Sequence, residues 1–182
     1  MAEFQSSAIY MRGVVRAMAH HGKTEAVRKL ASPAGLAMMD NTSAQGWWPQ
    51  RDVVPLCEAI YAVGGEDLII ETGRYVMKDS VSSVIQPLFK VIGALGVVSP
   101  PTLFTRFSQF SSMAIRNLQF TWTAKGEREG ELVIEYPPPV PDWYGLLWVG
   151  PIEHAFELAG RKGAPPRVVG RDARFTFALS WS

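Results

Sequence analysis

Along the second half of the chain, apolar and polar residues alternate in a regular way. Leu118, Phe120 and Trp122 interleave with Asn117, Gln119, Thr121 and Thr123. Leu132, Ile134 and Tyr136 repeat the pattern after the turn Lys125-Gly126-Glu127-Arg128-Glu129-Gly130, and the chain closes on Phe175, Phe177, Leu179 and Trp181, spaced by Arg174, Thr176, Ala178 and Ser180. A period of two sends one side of a strand into a core and the other into water. Pro137, Pro138, Pro139 and Pro141 cannot extend a hydrogen-bonded ladder, so they mark a corner. Beyond it, Leu146, Leu147, Ile152, Phe156 and Ala159 predict a helix capped by Asp142 and stopped by Gly160, with Pro151 kinking it or marking its true start. The late half therefore reads as two strands, a proline corner, an apolar helix and two more strands.

The first half has helical spacing. Residues from about Ile9 to Leu30 predict one or two helices broken around Gly22. Ala31 to Gly46 is rich in turn residues, with a short helical turn over Leu36 to Met39. Trp47-Trp48-Pro49 reads as an anchor packed just before a helix that Asp52 caps, with Pro55 in its first turn and Val53, Leu56, Cys57, Ile60 and Tyr61 on one side. Gly64-Gly65 ends that helix, and Leu68 to Met77 begins another. Asp79 or Ser80 caps a third, running to about Gly93 with a kink at Pro87, and Ser99 caps a fourth that starts at Pro100 and Pro101. The fold class expected is α+β: an N-terminal helical layer on a small antiparallel sheet, with a helix inserted between strand pairs. With no internal repeat and no dividing linker, residues 1–182 are expected to form one domain.

Composition narrows the functional classes. Eighteen basic and seventeen acidic residues leave a net charge of +1, which supplies no field to draw in nucleic acid or an anionic membrane. No segment has the apolar length of a membrane span, and the N-terminus lacks the basic-then-apolar pattern of a secretion signal. The single cysteine, Cys57, excludes an intrachain disulfide and fits a reducing compartment. A cytoplasmic location is the expectation.

Catalytic and metal motifs are missing. No phosphate-cradling loop, dinucleotide fingerprint or Gly-x-Ser-x-Gly elbow occurs. His20 and His21 sit at a probable helix end, where a cation favours the helix dipole, and no cysteine or close carboxylate pair accompanies them as metal ligands. His154 would be alone as a ligand. Cys57 lies among helix-forming apolar residues and reads as a small buried hydrophobe. Arg74 requires solvent or a carboxylate, with Glu71 and Asp79 as candidates. Six tryptophans, nine phenylalanines and five tyrosines either line a cavity or fill a core.

Several short stretches resemble the haem nitric-oxide/oxygen-binding (H-NOX) domains. They are Arg12-Gly13-Val14-Val15-Arg16-Ala17 leading to His21-Gly22, Ala34-Gly35-Leu36, Trp48-Pro49-Gln50-Arg51-Asp52, Thr72-Gly73-Arg74-Tyr75, and Leu132-Val133-Ile134-Glu135-Tyr136 followed by Gly145-Leu146-Leu147. By this resemblance the family's proximal histidine falls near Gln109, and its Tyr-x-Ser-x-Arg clamp begins at Tyr136 but continues as Pro138 and Val140. Haem needs an axial donor and partners for its propionates. The chain is therefore more similar to haem-free relatives: the 4-vinyl reductase type of domain, and a family of unknown function expanded in myxobacteria, whose end Phe175-Thr176-Phe177-Ala178-Leu179-Ser180-Trp181 resembles.

The resemblance implies a bacterial regulatory or sensory module, not an enzyme, with no cofactor and no metal. It is expected to bind an apolar small molecule between helices and sheet, with Tyr75, Gln109 and Tyr136 as its polar contacts. Two packings of the chain, pivoting at Pro87 or Pro151, would carry the signal. The alternative is a ligand-free scaffold for a protein partner or a homodimer, with exposed Trp47, Trp48, Trp143 or Trp148 marking the interface.

Overall fold

The computed structural model describes residues 3–41, 45–78 and 99–182. A short strand β1 (Gln5–Ser7) leads into helix α1 (Ala8–His20), whose first turn is closed by Ser7 Oγ accepting the Tyr10 amide. Gly22 breaks the run with a positive φ of 66°, and α2 (Thr24–Leu30) and α3 (Pro33–Asp40) follow. The helical turn expected at Leu36 to Met39 is the second half of α3.

Trp47–Pro49 forms β2, where the sequence suggested only an anchor. It pairs antiparallel with β1, whose other edge takes β3 (Ile115–Arg116), giving a three-stranded sheet in the order β2-β1-β3. Because β2 runs straight into α4 (Gln50–Val76), the helix starts at Gln50 and not after Asp52. Asp52 lies in its first turn and Pro55 falls inside the helix, one turn later than expected. Gly64-Gly65 ends the first helical arm of α4, as expected. Gly65 adopts φ 62° and ψ −154°, a conformation open to glycine, so the helix kinks there and resumes. The two expected helices are both present, one on each side of this kink.

The expected helix from Asp79 or Ser80 to Gly93, with its Pro87 kink, lies outside the described residues. Helix α5 (Pro100–Thr105) begins where expected, with Ser99 Oγ accepting the Thr102 amide, and α6 (Phe107–Ser111) follows it.

The remaining strands are β4 (Gln119–Ala124), β5 (Glu129–Glu135), β6 (Arg167–Arg171) and β7 (Arg174–Ser180), antiparallel in the order β4-β5-β7-β6. The alternation reads correctly: Leu132, Ile134, Phe175, Phe177, Leu179 and Trp181 are buried, and Leu118, Phe120 and Trp122 are half-buried on the same side. Between β5 and β6 lie a 3₁₀ helix (Asp142–Trp148) and α7 (Val149–Leu158). Pro141, not Asp142, occupies the cap position of the 3₁₀ helix, and Pro151 sits in the first turn of α7, where its missing N–H costs nothing. The architecture is α+β, with a helix inserted between strand pairs.

The helical layer meets the inserted helices through α4. A Cβ on Gly73 would collide with the Leu147 carbonyl, and one on Gly150 with the backbone of Gly73 and Arg74. The two backbones therefore touch. Over this contact Arg74 presents its guanidinium fork to Glu153, at 2.6 and 2.7 Å, and also bonds Glu71. Glu71 was an expected partner and Asp79 lies outside the described residues; Glu153 comes from α7, beyond the reach of any local pattern.

Candidate functional site

The only buried polar functions that converge between helices and sheet, among the described side-chain hydrogen bonds, gather around Tyr136. The alternation that turns Leu132 and Ile134 inward carries on one residue past the end of β5, so Tyr136 points the same way. Its amide donates to the Ala173 carbonyl at 2.9 Å, which pins the chain just before the proline corner. Its hydroxyl accepts a 2.7 Å bond from the Trp148 indole N–H at the end of the 3₁₀ helix. Both residues are buried.

Three more groups approach from other elements. Tyr144, on the 3₁₀ helix, lies edge-on to Tyr136 with centroids 5.4 Å apart, and its hydroxyl accepts from the Cys57 thiol of α4 at 3.7 Å. Tyr10 of α1 brings its phenol close enough to interact electrostatically with Cys57, Tyr136 and Tyr144. Phe4 and Phe175 close the surroundings, each edge-on to Tyr136 at 5.1 and 5.7 Å.

Gln50 fixes the corner beside this cluster. Buried at the start of α4, it donates from Nε2 to the carbonyls of Pro137 (3.0 Å) and Pro139 (2.8 Å), and its Oε1 accepts the Phe4 amide at 3.4 Å. One side chain thus joins the small sheet, the long helix and the proline corner.

The electrostatics make every member neutral. Burial pushes the Cys57 thiol up to about 12. Burial, and then proximity to the other phenols and the thiol, holds Tyr136 and Tyr144 well above the usual phenol value, and burial next to Cys57 raises Tyr10 as well. Such groups donate and accept hydrogen bonds but supply neither a base nor a nucleophile near neutral pH. On the outside, Tyr136 also borders an open cleft of about 570 Å³, shared with Gln119, Glu135, Pro138, Asp172 and Arg174.

The three expected contact residues occupy different surroundings. Tyr136 is at the centre of the cluster. Tyr75 is half-buried near the end of α4, its ring 4.9 Å from that of His20, and Gln109 is exposed on α6. Trp148, expected as an exposed interface marker, is buried as the donor to Tyr136. The other three tryptophans are half-buried, with Arg116 3.7 Å above the Trp47 ring and Tyr61 stacked on Trp143 at 4.4 Å. Tyr10, Gln50, Cys57 and Tyr144 were not picked out as site residues, because what joins them is long-range packing that no spacing reveals.

Haem, which the resemblance raises, does not fit the residues at the corresponding positions. An exposed amide at Gln109 is no axial donor. In the stretch that the resemblance would make a propionate clamp, Pro138 and Val140 offer no side-chain donor, and Tyr136 is buried with its oxygen accepting from Trp148. His154 pairs with Glu157 at 3.1 Å on α7.

No protein-family model and no curated protein matches the chain. Solved structures do. The Fe(II) unliganded H-NOX protein from K. algicida superposes with a TM-score of 0.72 at 11% identity, covering 97% of this chain and 96% of that one. The oxygen complex of an oxygen-binding H-NOX domain related to soluble guanylate cyclases gives 0.57 at 10% identity, covering 93% and 90%. At such low identity it is the backbone arrangement that is shared: the chain has the H-NOX fold.

Proposed function

We propose that the chain is a non-enzymatic sensory or regulatory module that binds an apolar small molecule between its helices and its sheet, without haem. The observation that carries this reading is the convergence on Tyr136 of phenol, thiol and indole groups inside an otherwise aromatic and aliphatic interior, next to an open cleft. Ligand sites of this kind are mostly apolar, with a few polar groups that fix orientation. A ligand hydroxyl that donates to the Tyr136 oxygen would take the place of the Trp148 indole. Because Tyr136 and Trp148 flank the proline corner, that exchange would shift the corner and the 3₁₀ helix together. Tyr136 is the central contact in this reading; Tyr75 and Gln109 remain contacts by resemblance. The buried free thiol fits a reducing compartment, and a cytoplasmic location belongs to the same proposal.

A thermal-shift panel of apolar compounds bearing a single polar group tests the reading. A true ligand at about a hundred times its dissociation constant adds about 2.7 kcal/mol to stability. That gain should shrink in Tyr136→Phe. If no compound stabilises the wild-type chain, the reading loses its support.

One observation favours a second reading, a ligand-free interaction scaffold. Phe4, Tyr144 and Phe175 already surround Tyr136 at ring distances of 5.1 to 5.7 Å. A homodimer or partner complex burying Trp47, Trp48 or Trp143, with no captured compound, would select it.

A further inference from the structure

We propose that His20, His21 and Tyr75 form a binding site for a first-row divalent transition-metal ion of the copper or zinc type, away from the Tyr136 cluster. His20 is the last residue of α1, His21 is its cap, and Tyr75 lies near the C-terminal end of α4. Their rings gather at one place: 5.0 Å between the two imidazoles, 4.9 Å from Tyr75 to His20 and 6.5 Å from Tyr75 to His21. The imidazoles meet at 81°, which is an edge contact and not a flat stack.

His21 supplies the independent observation. Its Nε2 is buried and has no hydrogen-bond partner. Orphaned buried nitrogens are rare in folded proteins, and an ion or water bound at the site is a standard reason for one. The lone pair of a neutral imidazole is also the donor that copper and zinc prefer. The negative end of the α1 dipole lies at the same place and favours a cation. No group of three histidine, cysteine or carboxylate side chains gathers among the described residues, and the third protein ligand of the proposed site is the Tyr75 phenol, whose ring lies beside both imidazoles. Two imidazole nitrogens and one phenolate oxygen leave a coordination position for water. Binding would release the Tyr75 phenol proton to solvent, so uptake should liberate protons.

The test is titration of the tag-free full-length chain with Cu²⁺ at neutral pH, followed by visible absorbance and electron paramagnetic resonance. One equivalent should bind with a phenolate-to-copper charge-transfer band and nitrogen hyperfine structure. The His20→Ala/His21→Ala variant should bind at least about tenfold more weakly, which corresponds to about 1.4 kcal/mol. Tyr75→Phe should keep copper and lose the charge-transfer band. If the alanine variant misfolds by circular dichroism, His20→Gln/His21→Gln replaces it. Equal copper uptake by the wild-type chain and the His20/His21 double variant overturns the site, as does no uptake by either. Uptake with an unchanged spectrum in Tyr75→Phe removes Tyr75 from it.

Discussion

The Trp148 indole donates to the Tyr136 hydroxyl at 2.7 Å in the interior, across the proline corner that separates the sheet from the inserted helix. Removing one partner of a buried hydrogen bond exposes the other to the full cost of desolvation, about 1–3 kcal/mol. Tyr136→Phe should therefore lower the unfolding free energy read from urea titration by that much, and Trp148→Phe by more, since it also alters ring contacts with Phe107 and Phe120. The double variant should lose less than the sum of the two. Additive losses would show that the bond contributes nothing.

The crossing of α4 and α7 is made by backbone, with Gly73 and Gly150 at its centre. A methyl group there has only main chain to push against. Gly150→Ala should cost about 1–3 kcal/mol or more and lower the melting temperature. Arg74→Lys keeps the charge but loses the fork on Glu153. Because Arg74 is partly exposed, that change should cost no more than about 1 kcal/mol and should matter less at high salt. A larger loss from Arg74→Lys than from Gly150→Ala would reverse this ranking.

Alkaline pH should weaken the fold. Folded, Cys57 keeps its proton up to about 12, whereas in the unfolded chain it is released near 8.5, roughly. Between those values the unfolded state binds fewer protons, so stability falls as pH rises, by up to about 1.4 kcal/mol per pH unit for each such group. The raised phenols of Tyr10, Tyr136 and Tyr144 join in from about pH 10. Below about pH 8 these groups contribute no slope. Urea midpoints from pH 7 to 11 check this: Cys57→Ala should delay the onset of the decline, and an unchanged onset would show that the thiol is not the group responsible.

What was legible in the sequence follows from the range of the interactions involved. The four-stranded sheet shows itself because Leu132, Ile134, Phe175, Phe177 and Leu179 bury one side over strands long enough to display alternation. Ser99, Gly22 and Gly160 mark helix ends through local chemistry, and they hold. The three-stranded sheet is illegible because its strands run only two or three residues, and Ser6, Trp48 and Ile115 are paired by backbone alone. Gly64-Gly65 reads as a stop, and Gly65 does leave helical geometry there, with φ 62° and ψ −154°, so two helical arms meet at a kink. At the site, the inward turn of Tyr136 is legible from its strand. Its partners are not, because Tyr10, Cys57 and Trp148 reach it from three separate elements. The His20–His21 pair reads as a helix end until Tyr75 arrives from α4.

Native mass spectrometry of freshly purified chain, with an absorbance spectrum of the same sample, tests the central claim most directly. The account predicts an extra mass of an apolar organic compound, released on denaturation and retained less by Tyr136→Phe, with no haem absorbance. A haem mass with its strong near-ultraviolet band would contradict it. So would a clean protein mass that stays unchanged after the compounds of the stabilisation panel are added.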